Sequence, residues 1–343
     1  AIEGMRRVLG LSEHDAFPSK DVDAIKMGTT VATNALLERK GERTLLAITG
    51  GFADALHIGT QQRPRLFDLH IQRPSILYSD VLEIQERLYA NGEIETALDE
   101  NAAYKGLSVA FANGYTCIAI ALLHADRYPL HEKKVCEIAK EIGFTQVSAS
   151  HDVIPLMKLV GRGDTTVADA YLSPTLRHYV EQVSDNVGNS RVLFMQSNGG
   201  LTDAHRFRGK DSILSGPAGG VVGMVSVATS AGFDKVIGFD MGGTSTDVTH
   251  YAGSYERTLD ATVAGVRIRA PMMDINTVAA GGGSQCIFDG LRLRVGPESA
   301  GSNPGPASYR KDGPLTVTDC NVLLGRIQPQ HFPHVFGANA DEP

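Results

Sequence analysis

Hydrophobic and polar positions along the first 150 residues predict strands and helices in turn. The short apolar runs that predict strands lie at residues 22–27, 44–49, 81–88, 116–123 and 145–150. The amphipathic segments that predict helices lie at residues 31–40, 99–113 and 130–142. Asp99 is placed to cap the second of these helices. Such alternation is typical of a mixed or parallel sheet that is covered by helices.

The pattern changes after residue 150. A long helix is predicted over residues 165–183, with an interruption near Ser173-Pro174 because proline disrupts a helix interior. A strand at 191–196, a helix of small residues at 217–231 and a buried strand at 235–240 follow. From residue 250 onward glycine and proline are frequent, so shorter elements are expected. The domain organisation predicted from this pattern is an N-terminal region at 1–152, a connecting helical region at 153–190 and a second domain at 191–343.

Composition narrows the functional classes. Glycine supplies 37 of the 343 residues, about 11 % where about 7 % is usual, and it shows no collagen-like period. These glycines therefore mark tight turns and close backbone approaches. A net charge of −7 argues against nucleic acid as a partner, and no apolar run approaches a membrane span. Four cysteines without close spacing indicate free thiols and a cytoplasmic protein.

The segment from Val236 to Val248 carries the clearest chemical signal. An apolar strand runs into Asp240, and a second strand begins near Thr246 and carries Asp247. The turn between them consists of Gly242, Gly243, Thr244 and Ser245. Glycine backbone N–H groups and hydroxyls can bind phosphate oxygens, whereas a carboxylate beside a phosphate requires a cation. We therefore predict a phosphate loop with catalytic Asp240 and Asp247, and with Mg²⁺ held by Asp240 directly or through water. The simpler alternative is a hairpin turn without a ligand.

A glycine-rich helix is predicted just before this loop. A glycine-faced helix followed by strand-Asp-x-Gly-Gly-Thr resembles the superfamily of actin, sugar kinases and large chaperones. In that superfamily the helix joins two domains that bind ATP, and the loop is the second of two phosphate loops. Taken alone, the helix is equally consistent with small residues packed on a sheet.

Longer motifs lie at residues 27–41, 215–223, 239–248, 279–284, 295–309 and 314–319. Together they resemble one family, the hydantoinase A/oxoprolinase family, and the resemblance covers essentially the whole chain. It implies an α/β fold of ribonuclease H-like ATPase domains, with mixed sheets flanked by helices. Family members carry a first phosphate loop before the position of Ala1 and a further domain beyond Pro343, so the fold is expected to be incomplete here. We expect the chain alone to be inactive for the same reason.

The resemblance also implies a reaction. Family members use ATP to open a cyclic amide, and residues 57–69 resemble the members that convert 5-oxo-L-proline to L-glutamate in glutathione metabolism. The implied cofactors are ATP and Mg²⁺, and a monovalent cation is compatible with them. The implied partners are a small lactam substrate and a hydantoinase B-like half or subunit, and a homodimer stays open. Alternatives are an N-methylhydantoinase, a ketone-carboxylase subunit, or a nucleotide-dependent scaffold of the actin or chaperone kind.

Further site residues follow from the resemblance. Gly216 and the Gly281, Gly282, Gly283 run are expected to join the phosphate site, although the run also fits a turn between strands.

Thr29, Thr30 and Asn34 lie where a strand turns into a helix, and they either receive a substrate carboxylate or cap the helix. Gln61 and Arg63 lie in a loop, where Arg63 either pairs with the substrate carboxylate or is an ordinary surface residue.

The adjacent His131 and Glu132, together with His124, match no zinc spacing, so structural roles are expected for them.

Overall fold

The structure is a computed structural model that describes residues 1–12, 15–61, 67–70 and 75–332. Its α-helices are α1 (Ile2–Val8), α2 (Val31–Leu37), α3 (Ala55–Ile58), α4 (Glu100–Ala112), α5 (Leu130–Ile142), α6 (Ser150–Val153), α7 (Leu159–Asp185), α8 (Gly209–Ser212), α9 (Ser215–Ser230) and α10 (Val317–Leu323). Its strands are β1 (Ile25–Met27), β2 (Thr44–Thr49), β3 (Tyr78–Ile84), β4 (Arg87–Leu88), β5 (Ile94–Thr96), β6 (Cys117–Ala121), β7 (Gln146–Ala149), β8 (Val192–Met195), β9 (Leu201–Asp203), β10 (Lys235–Met241), β11 (Thr246–Ala252), β12 (Arg257–Val263), β13 (Val266–Met273), β14 (Asn276–Val278), β15 (Ser284–Phe288) and β16 (Leu293–Ser299). Short 3₁₀ turns lie at Ala204–Arg206, Ala307–Tyr309 and Pro329–His331.

The chain forms two compact units. The larger unit contains residues 1–219 together with 257–273, and the smaller unit contains residues 220–256 together with 274–343. The first boundary falls within α9, and the hairpin β12–β13 belongs to the larger unit although it lies late in the sequence. The division predicted at residues 152 and 190 rests on a change in the pattern of strands and helices, not on which segments pack together. It stays a prediction.

A parallel four-stranded sheet of order β3-β2-β6-β7 forms the centre of the larger unit. Both of its faces are covered, as the side chains of β2 show. Leu46 and Ile48 belong to a core shared with α2, α7 and β13, whereas Leu45 and Ala47 belong to a core shared with α4 and α5. A strand buried on both faces reads as a continuous apolar run, which is the pattern that predicted it.

Several sequence predictions for this unit agree with the structure. The bounds of β2 and α5 are those predicted, and the Asp99 side chain accepts a hydrogen bond from the N–H of Ala102 at 2.9 Å. The predicted interruption at Pro174 is wrong, because α7 runs through it without a break. Proline removes one hydrogen bond from a helix, but buried residues on both sides of Pro174, among them Leu172 and Leu176, hold α7 against the core.

Arg162 on α7 is the centre of a buried polar network. Its side chain is 1 % exposed, and its guanidinium donates to Ser150 Oγ at 2.8 Å, to Asp126 Oδ1 at 3.0 Å and to the Leu122 carbonyl at 2.6 Å. Burial lowers the pKa of Arg162, and the nearby carboxylates of Glu132 and Asp126 oppose this effect. The network thus links α7 to the segments that follow β6 and β7.

Two further buried acids complete this network. Glu132 accepts hydrogen bonds from Ser150 Oγ at 2.8 Å and from the N–H of Leu122 at 2.8 Å. Glu86 contacts His131 Nδ1 at 2.8 Å. The structural roles expected for His131 and Glu132 are therefore confirmed. Within the described ranges, no cluster of three His, Cys, Asp or Glu side chains is arranged to hold a metal ion.

The smaller unit contains an antiparallel sheet of order β10-β11-β14 and a hairpin of β15 and β16. Residues 235–240 lie in a strand, as predicted, but the prediction that this strand is buried is wrong. Ile237 is 73 % exposed and Phe239 is 70 % exposed. The reason is that α9 packs on one side of β10 only. Met224 lies against Gly238 and Thr249 on that side, and the alternate residues of the strand remain uncovered.

After residue 250 the described elements are short, as expected: none exceeds 8 residues, whereas α7 has 27 residues and α9 has 16. Strands β12 and β13 are 7 and 8 residues long and pair as a hairpin whose buried side chains join the larger unit's core. None of the helices in the described ranges combines the length and the apolar content that a membrane-spanning helix needs.

We predict that Arg162→Met lowers the free energy of unfolding by about 3–5 kcal/mol, because removal of one partner leaves buried carboxylates uncompensated. Urea unfolding followed by circular dichroism measures this change. Lys105→Met, at an exposed position on α4, is the matched control and should stay within about 0.5 kcal/mol of wild type. An Arg162→Met variant as stable as this control would contradict the role of the network.

A second prediction concerns Asp169, which is buried on α7 and accepts hydrogen bonds from Ser148 Oγ at 2.7 Å and from the N–H of Lys210 at 3.0 Å. Burial raises the pKa of Asp169 in the folded state above the unfolded value of about 4. Between these two pKa values the folded state binds more protons than the unfolded state, so stability falls as the pH rises through that window.

Asp169→Asn should remove this fall and leave the variant more stable than wild type above the window. Urea unfolding of both proteins at several pH values upward from about pH 4 measures the difference. Parallel stability curves for the two proteins would contradict the prediction.

Candidate functional site

The turn between β10 and β11 leaves several backbone donors unpaired. The N–H of Gly242 donates to the Ser245 carbonyl at 2.9 Å and closes the turn. The N–H groups of Gly243, Thr244 and Ser245 find no acceptor among the described residues, and Gly243 and Thr244 are exposed. Neighbouring unpaired N–H groups in a turn form a concave site for an anion. The turn therefore offers free backbone donors at the place where the phosphate loop is predicted.

A second glycine segment lies directly against this turn. The N–H groups of Gly282 and Gly283 donate to the carbonyls of Gly242 and Gly243 at 2.9 and 2.7 Å. A Cβ atom placed on Gly281 would lie 2.7 Å from the carbonyl oxygen of Gly243, so only glycine permits this approach. The carbonyls of Gly242 and Gly243 are thus occupied, whereas the N–H groups of Gly243, Thr244 and Ser245 have no acceptor among the described residues.

The three predicted glycines at 281–283 are thus already paired. The N–H of Gly281 donates to Ser284 Oγ at 3.0 Å, and the other two donate to the turn. The structure brings Gly281, Gly282 and Gly283 to the loop as its support, and a direct contact between them and a phosphate stays a prediction.

Thr318, within the motif at 314–319, supports the loop in a way that the motif alone does not indicate. Its N–H and its Oγ1 both donate to the Gly282 carbonyl, at 2.8 and 2.9 Å. Thr318 lies in the first turn of α10, where Thr316 and Asp319 form a capping box. The Thr-x-x-Asp pattern was the available signal, since it places a helix start at Thr316.

Asp240 and Asp247 lie opposite each other in the register of β10 and β11. Asp247 Oδ1 accepts a hydrogen bond from Thr277 Oγ1 at 2.7 Å, whereas the exposed Asp240 carboxylate makes no hydrogen bond or ion pair within the described part of the chain. Like charges at directly opposed positions destabilise a sheet unless a cation lies near them.

This arrangement fits Mg²⁺ of the kind held by one carboxylate, phosphate oxygens and water. Asp240 supplies a carboxylate without a protein partner beside a loop with free donors. A cage made only of protein ligands would need further acids, and the described residues offer no such cluster.

The turn between β1 and α2 carries the other predicted group. Thr29 is buried, its N–H donates to Ser215 Oγ at 3.1 Å, and its carbonyl accepts from the N–H of Gly216 at 3.0 Å. A Cβ on Gly216 would lie 2.8 Å from Thr30 Cγ2. The structure therefore brings Thr29, Thr30 and Gly216 together, while Asn34 lies exposed one turn further along α2.

The loop after α3 is held by Arg267. Its guanidinium donates to the Leu56 carbonyl at 3.0 Å and to Asp164 Oδ2 at 2.7 Å. Gly59, at φ 64°, lies directly against this guanidinium, where neither the conformation nor the space suits a side chain. Gln61 follows in an exposed position, and Arg63 lies outside the described residues.

Comparisons with known proteins agree with these features. Residues 1–143 match the hydantoinase/oxoprolinase N-terminal region, and residues 162–343 match hydantoinase/oxoprolinase. The chain is 45 % identical to 5-oxoprolinase 1 of Arabidopsis thaliana over 100 % of its own length and 29 % of that protein. It is 43 % identical to 5-oxoprolinase of Saccharomyces cerevisiae over 99 % of its own length and 30 % of that protein.

A solved structure supports the fold. The ATP-dependent caprolactamase from Pseudomonas jessenii superposes with a TM-score of 0.78 at 32 % identity, over 100 % of this chain and 51 % of that one. The α/β fold with mixed sheets flanked by helices is confirmed. On the matched regions and these identities, the chain belongs to the hydantoinase/oxoprolinase family.

Proposed function

We propose that this chain is the ATP-using part of a 5-oxoprolinase, which opens the lactam of 5-oxo-L-proline to give L-glutamate. The observation that carries the proposal is the turn at Gly243, Thr244 and Ser245, whose three unpaired N–H groups lie beside the unpartnered carboxylate of Asp240. The identity of 45 % to a curated 5-oxoprolinase over the whole chain supports the choice of substrate.

The chemistry explains why ATP is needed. A five-membered ring amide resists hydrolysis at neutral pH. Transfer of the γ-phosphoryl group of ATP to the amide oxygen releases ADP and activates the carbonyl carbon for attack by water. The ring C–N bond then breaks and the nitrogen takes up a proton as the amine, and a second water releases the phosphate and leaves a carboxylate. The task of the chain is to hold phosphate oxygens in place and to offset their charge. The free N–H groups of Gly243, Thr244 and Ser245, with the hydroxyls of the last two, are suited to this task.

Asp240 has a separate role in the proposal. Its carboxylate would hold Mg²⁺ directly or through water, and the cation would neutralise charge on the phosphates. Asp247, engaged by Thr277, would fix β11 and the turn relative to β14. Gly281, Gly282 and Gly283 would act mainly by holding the carbonyls of the turn, so that its donors stay free.

The wider proposal concerns location and partners. We propose a cytoplasmic protein of glutathione metabolism, which agrees with the free thiols of the four cysteines. A hydantoinase B-like half or subunit would carry the hydrolytic step, consistent with relatives of which the chain spans 29 % and 30 %. An N-methylhydantoinase, a ketone-carboxylase subunit and an actin-like scaffold have less support, because the curated relatives above are 5-oxoprolinases.

We expect Asp240→Ala in the complete enzyme to lower ATP hydrolysis by at least about 100-fold. The reason is that Mg²⁺ would lose its protein ligand and would no longer neutralise charge on the phosphates. A coupled assay of ADP release measures this loss. Asp234→Ala, at an exposed position just before β10, is the matched control and should keep wild-type turnover. Wild-type ATP hydrolysis in Asp240→Ala, with unchanged thermal stability, would refute the metal role.

Two glycine substitutions separate phosphate binding from loop support. No atom lies within 4 Å of a Cβ placed on Gly243, so Gly243→Ala should keep the stability of the fold but raise the KM for ATP about tenfold, by placing a methyl group at the phosphate site. Gly281→Ala should instead lower the free energy of unfolding by about 1–3 kcal/mol, because its methyl group meets the Gly243 carbonyl.

Steady-state kinetics and urea unfolding of both variants test this contrast. Gly220→Ala, where a Cβ also has open space, is the control. It should leave the KM for ATP unchanged and should not lower the free energy of unfolding. An unchanged KM for ATP in Gly243→Ala would argue against a phosphate site at this turn.

A further inference from the structure

A cleft of about 700 Å³ opens in the larger unit at the start of α7. None of its lining residues belongs to the candidate phosphate loop. Its lining includes Thr60 from the loop after α3, Lys158 and Gly161 at the start of α7, and Arg267 and Arg269 from β13. It therefore shares the loop that contains Gln61.

Positive groups with incomplete pairing converge on this cleft. Lys158 is exposed, and its ammonium makes no hydrogen bond or ion pair with any described residue. Arg269 donates through Nη1 to the Met157 carbonyl at 3.2 Å, but its Nε is buried and has no hydrogen-bond acceptor. The Asp260 carboxylate lies 3.5 Å from this Nε and is 76 % exposed, so solvent weakens the pair.

The start of α7 adds to the positive potential. This helix of 27 residues has no side-chain cap and no acidic residue in its first turn. The N-terminus of a helix carries partial positive charge, so cations beside it are unfavourably placed. Lys158 nevertheless occupies the cap position, and the Arg269 side chain lies against Gly161. A cleft whose lining carries excess positive charge concentrates anions.

The charges that line the cleft also indicate the valence of the ligand. Lys158, Arg267 and Arg269 face Asp164 and Asp260, which leaves one positive charge in excess. Arg267 is already paired with Asp164 at 2.7 Å, so Lys158 and Arg269 are the cations with capacity for a further partner. A singly charged carboxylate matches this excess, whereas a phosphate dianion exceeds it.

We propose that this cleft binds the carboxylate of a small monocarboxylic acid, through Lys158 and Arg269. Resting on the proposed function, we assign that acid as 5-oxo-L-proline. Thr60 offers a hydroxyl to the same ligand, and Arg267 holds its loop in place through the Leu56 carbonyl and the close contact at Gly59. The cleft then distinguishes a lactam that carries a carboxylate from the bare ring.

Kinetics of the complete enzyme test the assignment. Lys158→Met and Arg269→Met each remove a charge and keep an unbranched side chain. We expect each to raise the KM for 5-oxo-L-proline by about tenfold or more, the effect of losing one charged hydrogen bond, with the KM for ATP unchanged. Arg269→Lys should recover part of the loss, and Asp260→Asn should lower the KM by removing a competing carboxylate. Lys105→Met on α4 is the control.

A binding titration separates the two proposals. Wild-type protein should bind 5-oxo-L-proline at least about tenfold more tightly than 2-pyrrolidinone, the same ring without a carboxylate, and Lys158→Met should lose this preference. An active enzyme whose KM is unchanged in both methionine variants, or a wild-type protein that binds both rings equally, would overturn the cleft assignment. A wild-type enzyme that releases no glutamate with ATP would instead overturn the proposed function.

Discussion

In both units, distant segments supply hydrogen-bond partners to backbone groups that no helix or sheet ladder pairs. In the larger unit, Leu122 follows the end of β6, and Glu132 accepts from its N–H while Arg162 donates to its carbonyl. In the smaller unit, the carbonyls of Gly242 and Gly243 are satisfied by a second glycine segment. The N–H groups of Gly243, Thr244 and Ser245 stay without an acceptor among the described residues. These three groups are the donors of the candidate phosphate site.

The sequence was sufficient where a single local pattern decides the structure. Strand β2 is a continuous apolar run, and α5 ends at Gly143, whose φ of 116° suits a helix C-terminus. It failed where tertiary contacts override local preference, as at Pro174, where burial holds α7 straight through a residue that disfavours helices. Burial of β10 was also mispredicted, because an apolar strand does not reveal whether one face or both are covered.

The candidate site was likewise predictable from the sequence only in part. Glycine and hydroxyl residues between two strands suffice to predict the turn at 242–245, since few other functions require that composition. The support from Gly281 and Thr318 depends on contacts between distant segments. The charged cleft was not predictable, because Thr60, Lys158 and Arg269 come from three separate parts of the chain. Lys158, moreover, has a φ of 79°, which no local sequence signal indicates for a lysine.

The uncovered side of β10 has a consequence for the behaviour of the protein in solution. Within the described residues β10 is an edge strand, and Ile237, Phe239 and Met241 form an exposed apolar row along it. Edge strands of this composition are templates for pairing with strands of other molecules. Lys235 and Asp240 are the only charged residues in the strand. Conditions in which β10 stays exposed and those two charges are neutralised therefore favour aggregation through intermolecular β-pairing.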